Sequence, residues 1–216
     1  MARKPMKSPR LILASASPRR AELLRRLGVE FQIAPAGVRE IEEKALSAGE
    51  TARINACHKA RAAARNHPGA LVLGVDTVVA LGGMVFGKPA TLEEAEQMLW
   101  ALRGKTHRVV TGVCLLSMRE RRQKFFSEET AVTFRPLTRE QIRRYHAQVN
   151  PLDKAGAYGI QDKPEMLVET ISGSVTNVIG LPLERLAAEL PAFGVRLPGG
   201  GQSEVSRAVA RIMGPR

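Results

Sequence analysis

The run Leu71–Leu81, LVLGVDTVVAL, constrains this chain most. It is apolar almost throughout, so both of its faces need cover. Runs of this kind are buried central strands, with helices or loops over both sides of the sheet. A polar pair, Asp76-Thr77, interrupts it. A carboxylate placed inside apolar surroundings pays a large desolvation cost unless it is paired or binds a cation. Two readings stay open from the residue alone. Asp76 is either an acid at a strand end, satisfied by a loop N–H or an arginine, or a metal ligand or general base for water.

The stretch Leu11–Leu27, LILASASPRRAELLRRL, is the second anchor. A short apolar run of strand length leads through small residues into a helix start. Ser17 stands at the N-cap, Pro18 at the first helical position, and Leu23, Leu24 and Leu27 at helical spacing. A helix N-terminus carries roughly half a positive charge, so its first turn should hold acids. Here it holds Arg19 and Arg20. Two guanidiniums beside unpaired backbone N–H groups repel each other unless an anion lies between them. Small residues also let a ligand approach the backbone. The description fits a phosphate site as well as a solvated basic turn.

Between and after these anchors the patterns alternate. A second strand is expected at Phe31–Ala34, followed by an acidic loop from Pro35 to Glu50. An alanine-rich helix is expected over Thr51–Asn66, and Gly82-Gly83 should turn β-hairpin fashion into Met84–Phe86. Thr91 with Glu94 reads as a capping box for a helix with inner stripe Ala95, Met98, Leu99 and Leu102. His107–Ser117 and Lys124–Phe134 read as a long antiparallel hairpin. Thr138 with Gln141 opens a helix to about Gln148. Asp153–Gln161, DKAGAYGIQ, follows no period. A strand at Leu167–Ile171 and a helix near Leu183–Leu190 close the pattern. Strands alternating with helices plus one long hairpin predict an α/β fold with a mixed sheet. One domain is expected over residues 1–195, with a flexible basic tail over 196–216.

Charge narrows the partners. The net charge of +12 suits an anion, either nucleic acid or a small polyphosphate. Aromatics are only 4%, too few for a base-stacking platform, and Lys and Arg are scattered rather than clustered. Nucleic acid is therefore the less favoured partner. Cys57 and Cys114 form no CxxC pair and suit a reducing compartment. The basic N-terminus followed by LILASAS is too short in its apolar run for a signal peptide, and no run approaches the roughly 20 apolar residues of a membrane span. The cytoplasm is the expected location.

Three further features bear on chemistry. Gly82 to Lys88 fits GxxxxGK, but Pro89 stands where a P-loop needs Ser or Thr, and a hairpin replaces the strand–loop–helix context. Lys88, held at a turn, can still meet a phosphate as a point charge. Glu40 matters only if the fold brings it near Asp76, where two carboxylates could hold Mg²⁺. His58, His67, His107 and His146 show no catalytic spacing, so histidine-based nucleophilic catalysis is not expected.

These pieces, in this order, resemble the Maf family of nucleoside triphosphate pyrophosphatases. The resemblance rests on LILASASPRRAELLRRLG, the Glu40 loop, Lys59 in its helix, LGVDTVV, GKP, GKTHRVVTGV, DKAGAYGIQ and GLPL, spanning about residues 11 to 190. It implies a mixed twisted sheet with flanking helices and two lobes around a cleft, similar in architecture to the inosine triphosphate pyrophosphatases. It also implies hydrolysis of a nucleoside triphosphate to the monophosphate and pyrophosphate with a divalent cation, Mg²⁺ or Mn²⁺. By position, Asp76 looks like the family's proton acceptor, and Glu40 with Asp76 would place the metal. Ser15, Arg20, Lys59 and Lys88 match its other active-site positions.

Arg19, Thr77 and Gln161 match the markers of the branch that takes dTTP and UTP, and modified pyrimidine nucleotides are compatible with it. The branch linked to 7-methyl-GTP differs at all three. Val75 in place of the common alanine and the basic C-terminal extension are departures from the pattern. A nucleoside triphosphate brings about four negative charges, which Arg19, Arg20, Lys59 and Lys88 can offset. The Gln161 amide, donor and acceptor together, can match the N3–H and O4 edge of uracil or thymine. The alternative is a non-catalytic nucleotide- or nucleic-acid-binding regulator of cell division. A homodimer stays open.

Overall fold

In a computed structural model, residues 9–41, 43 and 45–198 are described. The expected lead-in, apart from Pro9, and the expected tail from residue 199 onward lie outside them. Seven strands form one mixed sheet: β1 (Leu11–Leu13), β2 (Phe31–Ile33), β3 (Leu71–Leu81), β4 (Met84–Phe86), β5 (Thr106–Ser117), β6 (Arg122–Phe134) and β7 (Val168–Ser172). Their order is β2-β1-β3-β5-β6-β7, with β4 also on β3. Strands β1 and β2, and β1 and β3, run parallel, and the remaining pairs are antiparallel. The Leu71–Leu81 run is the central strand, as its two apolar faces require.

One face of the sheet is covered by α2 (Ala48–Asn66). Ile12, Val72 and Cys114 pack there against Ala56, Ala60, Ala63 and Ala64. The helix lies close because the strands present glycines to it. A Cβ on Gly74 would overlap the Ala56 carbonyl oxygen, and one on Gly112 would overlap the Ala52 carbonyl. Small residues on both surfaces bring backbone groups together with little void.

The opposite face carries two cores. Helices α1 (Pro18–Arg26), α5 (Val175–Ile179) and α6 (Leu183–Glu189) bury Leu23, Leu24, Ile179, Leu183 and Leu186 against Leu73, Val75, Val113 and Leu115. Farther along the same strands, α3 (Leu92–Leu102) and α4 (Arg139–His146) bury Leu99, Leu102, Ile142 and Tyr145 around Val79, Val109 and Phe134. A cleft runs between these two halves. Among the described residues no helix is long and apolar enough to cross a membrane.

Several boundaries differ from the sequence reading. Helix α2 begins at Ala48 rather than Thr51, because Ser47 and Glu50 form a complete capping box at the end of the expected loop. At Thr91 the box is only half made: Thr91 Oγ1 accepts from the Glu94 N–H, while the Glu94 carboxylate takes the Ala90 N–H instead. Helix α4 ends at His146. The short helix α5 has no counterpart in the sequence reading, since five residues give too little periodicity to register.

Candidate active site

Strand β3 is fully paired along one edge, where Leu71–Ala80 face β5. The other edge changes partner. Leu71–Leu73 pair with parallel β1, and Val79–Leu81 pair with antiparallel β4. Among the described residues no strand flanks the stretch between them on that side, and Asp76-Thr77 sit in it. A gap beyond the carboxyl end of a parallel strand is the usual place for a ligand in an α/β sheet. Here a cleft of about 400 Å³ opens, within the roughly 300–1,000 Å³ of small-molecule sites.

Successive strand side chains point to opposite faces, so Asp76 and Thr77 diverge. Asp76 turns toward α2 and is 3% exposed. Lys59, on α2, donates from Nζ to Asp76 Oδ1 at 2.6 Å and to Glu40 Oε1 at 2.6 Å. Lys88 Nζ lies 3.9 Å from the same Glu40 oxygen and is largely exposed. Two carboxylates from distant parts of the chain thus meet over one ammonium. Burial pushes the Asp76 carboxyl above its ordinary range, with Lys59 and Arg20 opposing. Burial also acts to raise Glu40, but Lys59, Lys88 and Arg20 outweigh it and hold that carboxyl low.

Thr77 faces the opposite side. Its Oγ1 accepts from Arg20 Nη2 at 2.9 Å and lies 2.9 Å from Thr111 Oγ1. The Arg20 guanidinium also donates to the Gly180 carbonyl at 2.9 Å, Ser15 Oγ at 3.1 Å and the Val75 carbonyl at 3.0 Å. The Val75 bond satisfies a strand carbonyl within the gap. Burial lowers the pKa of this guanidinium from its ordinary value, and the nearby Asp76 and Glu40 charges work against that.

The two adjacent guanidiniums take separate partners. Arg20 turns inward, with four of its five N–H groups committed to protein oxygens. Arg19 turns outward across the cleft, donating to Asp153 Oδ2 at 2.8 Å and the Asp153 carbonyl at 3.1 Å. Their mutual repulsion is relieved by separate partners. The start of α1 remains available to an anion: no side chain caps it, and Ser15, Ser17 and Pro18 line the cleft beside it.

Gln161 is exposed on the cleft lining opposite this helix start, beside Gly159 and Ile160. The structure thus gathers Ser15, Arg19, Arg20, Glu40, Lys59, Asp76, Thr77, Lys88 and Gln161 around one cleft. His107 stays out of it. It is buried edge-on against Phe134 with Nε2 2.8 Å from Tyr158 Oη, and burial pushes it down to about 4.

Sequence reasoning missed Asn55, Thr111 and Asp153. Asn55 is buried on α2 one turn after Thr51 and one turn before Lys59, and this polar stripe at four-residue spacing in an alanine-rich helix was the available signal. Thr111 reads as an ordinary strand residue until its pairing with Thr77 is known.

Among the described residues, no group of three or more His, Cys, Asp or Glu side chains gathers as a metal site. Glu40 and Asp76 supply hard oxygen donors at a point where a cation already sits, the Lys59 ammonium. That chemistry fits Mg²⁺ or Mn²⁺, which bind through one or two carboxylates together with substrate phosphates and water.

The chain is 48% identical over 194 residues to a dTTP/UTP pyrophosphatase of Symbiobacterium thermophilum, covering 88% of this chain and 97% of that protein. A dTTP/UTP pyrophosphatase of Pelotomaculum thermopropionicum is 45% identical over 184 residues, covering 85% and 96%. One of Phocaeicola vulgatus is 48% identical over 185 residues, covering 84% and 94%. The profile of the Maf-like protein family matches residues 10–193, which carry the sheet, its helices and every cleft residue named above, and the chain belongs to the Maf family.

Proposed function

We propose that this chain hydrolyses dTTP and UTP to the nucleoside monophosphate and pyrophosphate in the cytoplasm, with a divalent cation. The observation that carries the reading is the meeting of Asp76, Lys59 and Glu40 in the unpaired stretch of β3, beside the open start of α1. The names and coverage of the relatives support it.

The triphosphate enters along the start of α1, where unpaired N–H groups and the helix field favour negative charge. Arg19 exchanges Asp153 for phosphate oxygens, and exposed Lys88 adds a mobile charge. Arg20 stays beneath them, holding Ser15, Thr77 and the Gly180 backbone in place. Glu40 and Asp76 would hold the cation, which would supply positive charge against that developing on the phosphates. Asp76 accepts the proton of the attacking water. Lys59 keeps the two carboxylates from repelling each other. Gln161 faces the base and offers uracil or thymine a donor and an acceptor.

The test is pyrophosphate release from dTTP, UTP, CTP, ATP, GTP and 7-methyl-GTP, with Mg²⁺, with Mn²⁺ and with a chelator. Metal-dependent release mainly from dTTP and UTP is expected. Release only from 7-methyl-GTP would keep the chemistry and overturn the base assignment. No release from any of them would overturn the enzyme reading in favour of a binding protein.

A further inference from the structure

The loop bearing Glu40 is not part of any strand or helix, yet its carboxylate has to be held against Asp76 from the centre of the sheet. One buried side chain connects the two. Asn55 Oδ1 accepts from the Ile41 N–H at 2.7 Å, and Nδ2 donates to the Ile41 carbonyl at 3.2 Å and to Asp76 Oδ2 at 3.3 Å. The carboxamide therefore engages both backbone groups of the residue after Glu40, as a neighbouring strand would. Its remaining N–H goes to the carboxylate that Glu40 must face. Asn55 and Lys59 lie four residues apart on α2, so they point the same way. Lys59 supplies charge to both carboxylates, and Asn55 supplies neutral hydrogen bonds to the backbone of one and the side chain of the other.

Only a carboxamide does this. An aspartate lacks the two N–H donors and would place a second carboxylate beside Asp76. A leucine of similar volume would leave the Ile41 N–H and carbonyl unpaired. Asn55 is 3% exposed, so water does not replace it.

We propose that Asn55 is a positioning residue that fixes the separation and orientation of the Glu40 and Asp76 carboxylates, and thereby the affinity of the site for a divalent cation. The inference rests on the pyrophosphatase reading. Partners that orient ligands from behind a metal site typically contribute about 10- to 100-fold in metal affinity.

The test compares wild type, Asn55→Leu and Asn55→Ser. Mn²⁺ binding is followed by electron paramagnetic resonance in the presence of non-hydrolysable α,β-imido-UTP, alongside thermal midpoint, kcat and the nucleotide KM. Both variants are expected to bind Mn²⁺ roughly 10- to 100-fold more weakly, to need correspondingly more Mg²⁺ for half-maximal turnover, and to keep a near-normal nucleotide KM at saturating metal. A residue with a purely structural role would lower the thermal midpoint without moving Mn²⁺ affinity in the folded protein. Wild-type Mn²⁺ affinity in a folded variant overturns the proposal, and Asn55→Ser, whose hydroxyl is too short to reach both partners, decides if Asn55→Leu does not fold. Wild-type protein that neither binds Mn²⁺ nor hydrolyses nucleotide overturns the pyrophosphatase reading itself.

Discussion

Lys59 Nζ donates to Asp76 Oδ1 at 2.6 Å, so a helix on one face of the sheet and the middle of its central strand share one ion pair. The pair is almost buried, with side-chain exposures of 13% and 4%. Ion pairs this dry do no better than break even against their desolvation cost. Stability alone is therefore a weak reason for an acid at this place in an apolar strand, and chemistry is a better one.

Asp76→Asn should keep the fold, because the amide oxygen still accepts from Lys59, although its NH2 then meets the Asn55 donor and that weaker bond is lost. It removes the proton acceptor and half of the cation's carboxylate charge. Turnover is expected to fall by about 10²–10⁴. Pyrophosphate release and circular dichroism on the same sample check both halves. Unchanged turnover in the variant would remove Asp76 from the mechanism.

Arg20→Lys should cost stability before it costs chemistry. A lysine brings one ammonium to a place where four oxygens are held by a planar fork. Leaving buried acceptors unpaired is expected to cost about 3 kcal/mol, measured as a shift in the urea midpoint. A variant as stable as wild type would show that these bonds are dispensable.

Gly112→Ala probes the approach of α2 to the sheet. The added methyl would meet the Ala52 carbonyl, so the helix must move, and it carries Asn55 and Lys59 with it. A loss of about 1–3 kcal/mol is expected, together with reduced turnover. Gly69→Ala is the control: open space surrounds that position, and its effect should stay within about 0.5 kcal/mol.

Gln161→Glu replaces the amide donor with an acceptor. The exposed position makes folding insensitive to the change. Turnover of dTTP and UTP should drop relative to the other nucleotides in the panel, with pyrophosphate release as the readout. An unaltered substrate profile counts against base reading by this residue.

Burial holds His107 neutral in the folded chain, at about 4, whereas the unfolded chain binds its proton near the ordinary value of about 6.5. A depressed value means that the stability is present above about pH 6.5 and is lost as the pH falls toward about 4, reaching roughly 3 kcal/mol. His107→Gln keeps a partner for Tyr158 and removes the titration. The urea midpoint of the wild type should fall more steeply than that of the variant between about pH 7 and pH 4.5. Parallel slopes would assign the acid sensitivity to other groups.

Most of the elements and most of the cleft residues were legible in the residue pattern. Leu71–Leu81 could only be a central strand, because a run apolar on both faces has no stable place at a surface. The turn at Gly82-Gly83 and the inner stripe of α3 followed from local φ requirements and a 3.6-residue period. The start of α2 was placed three residues late, at Thr51, although Ser47 and Glu50 carry the capping-box spacing that marks it. What α1 does with its arginines was not. Arg19 and Arg20 are adjacent and chemically identical, and only the tertiary structure sends one to Asp153 and the other to Thr77, Val75 and Gly180. The same holds for the gap in the edge of β3, which exists because β1 ends at Leu13 and β4 begins pairing at Val79. Periodicity reports which face of a segment is apolar. It says nothing about which distant backbone ends beside it, and that choice placed Glu40, Asn55 and Lys59 around Asp76.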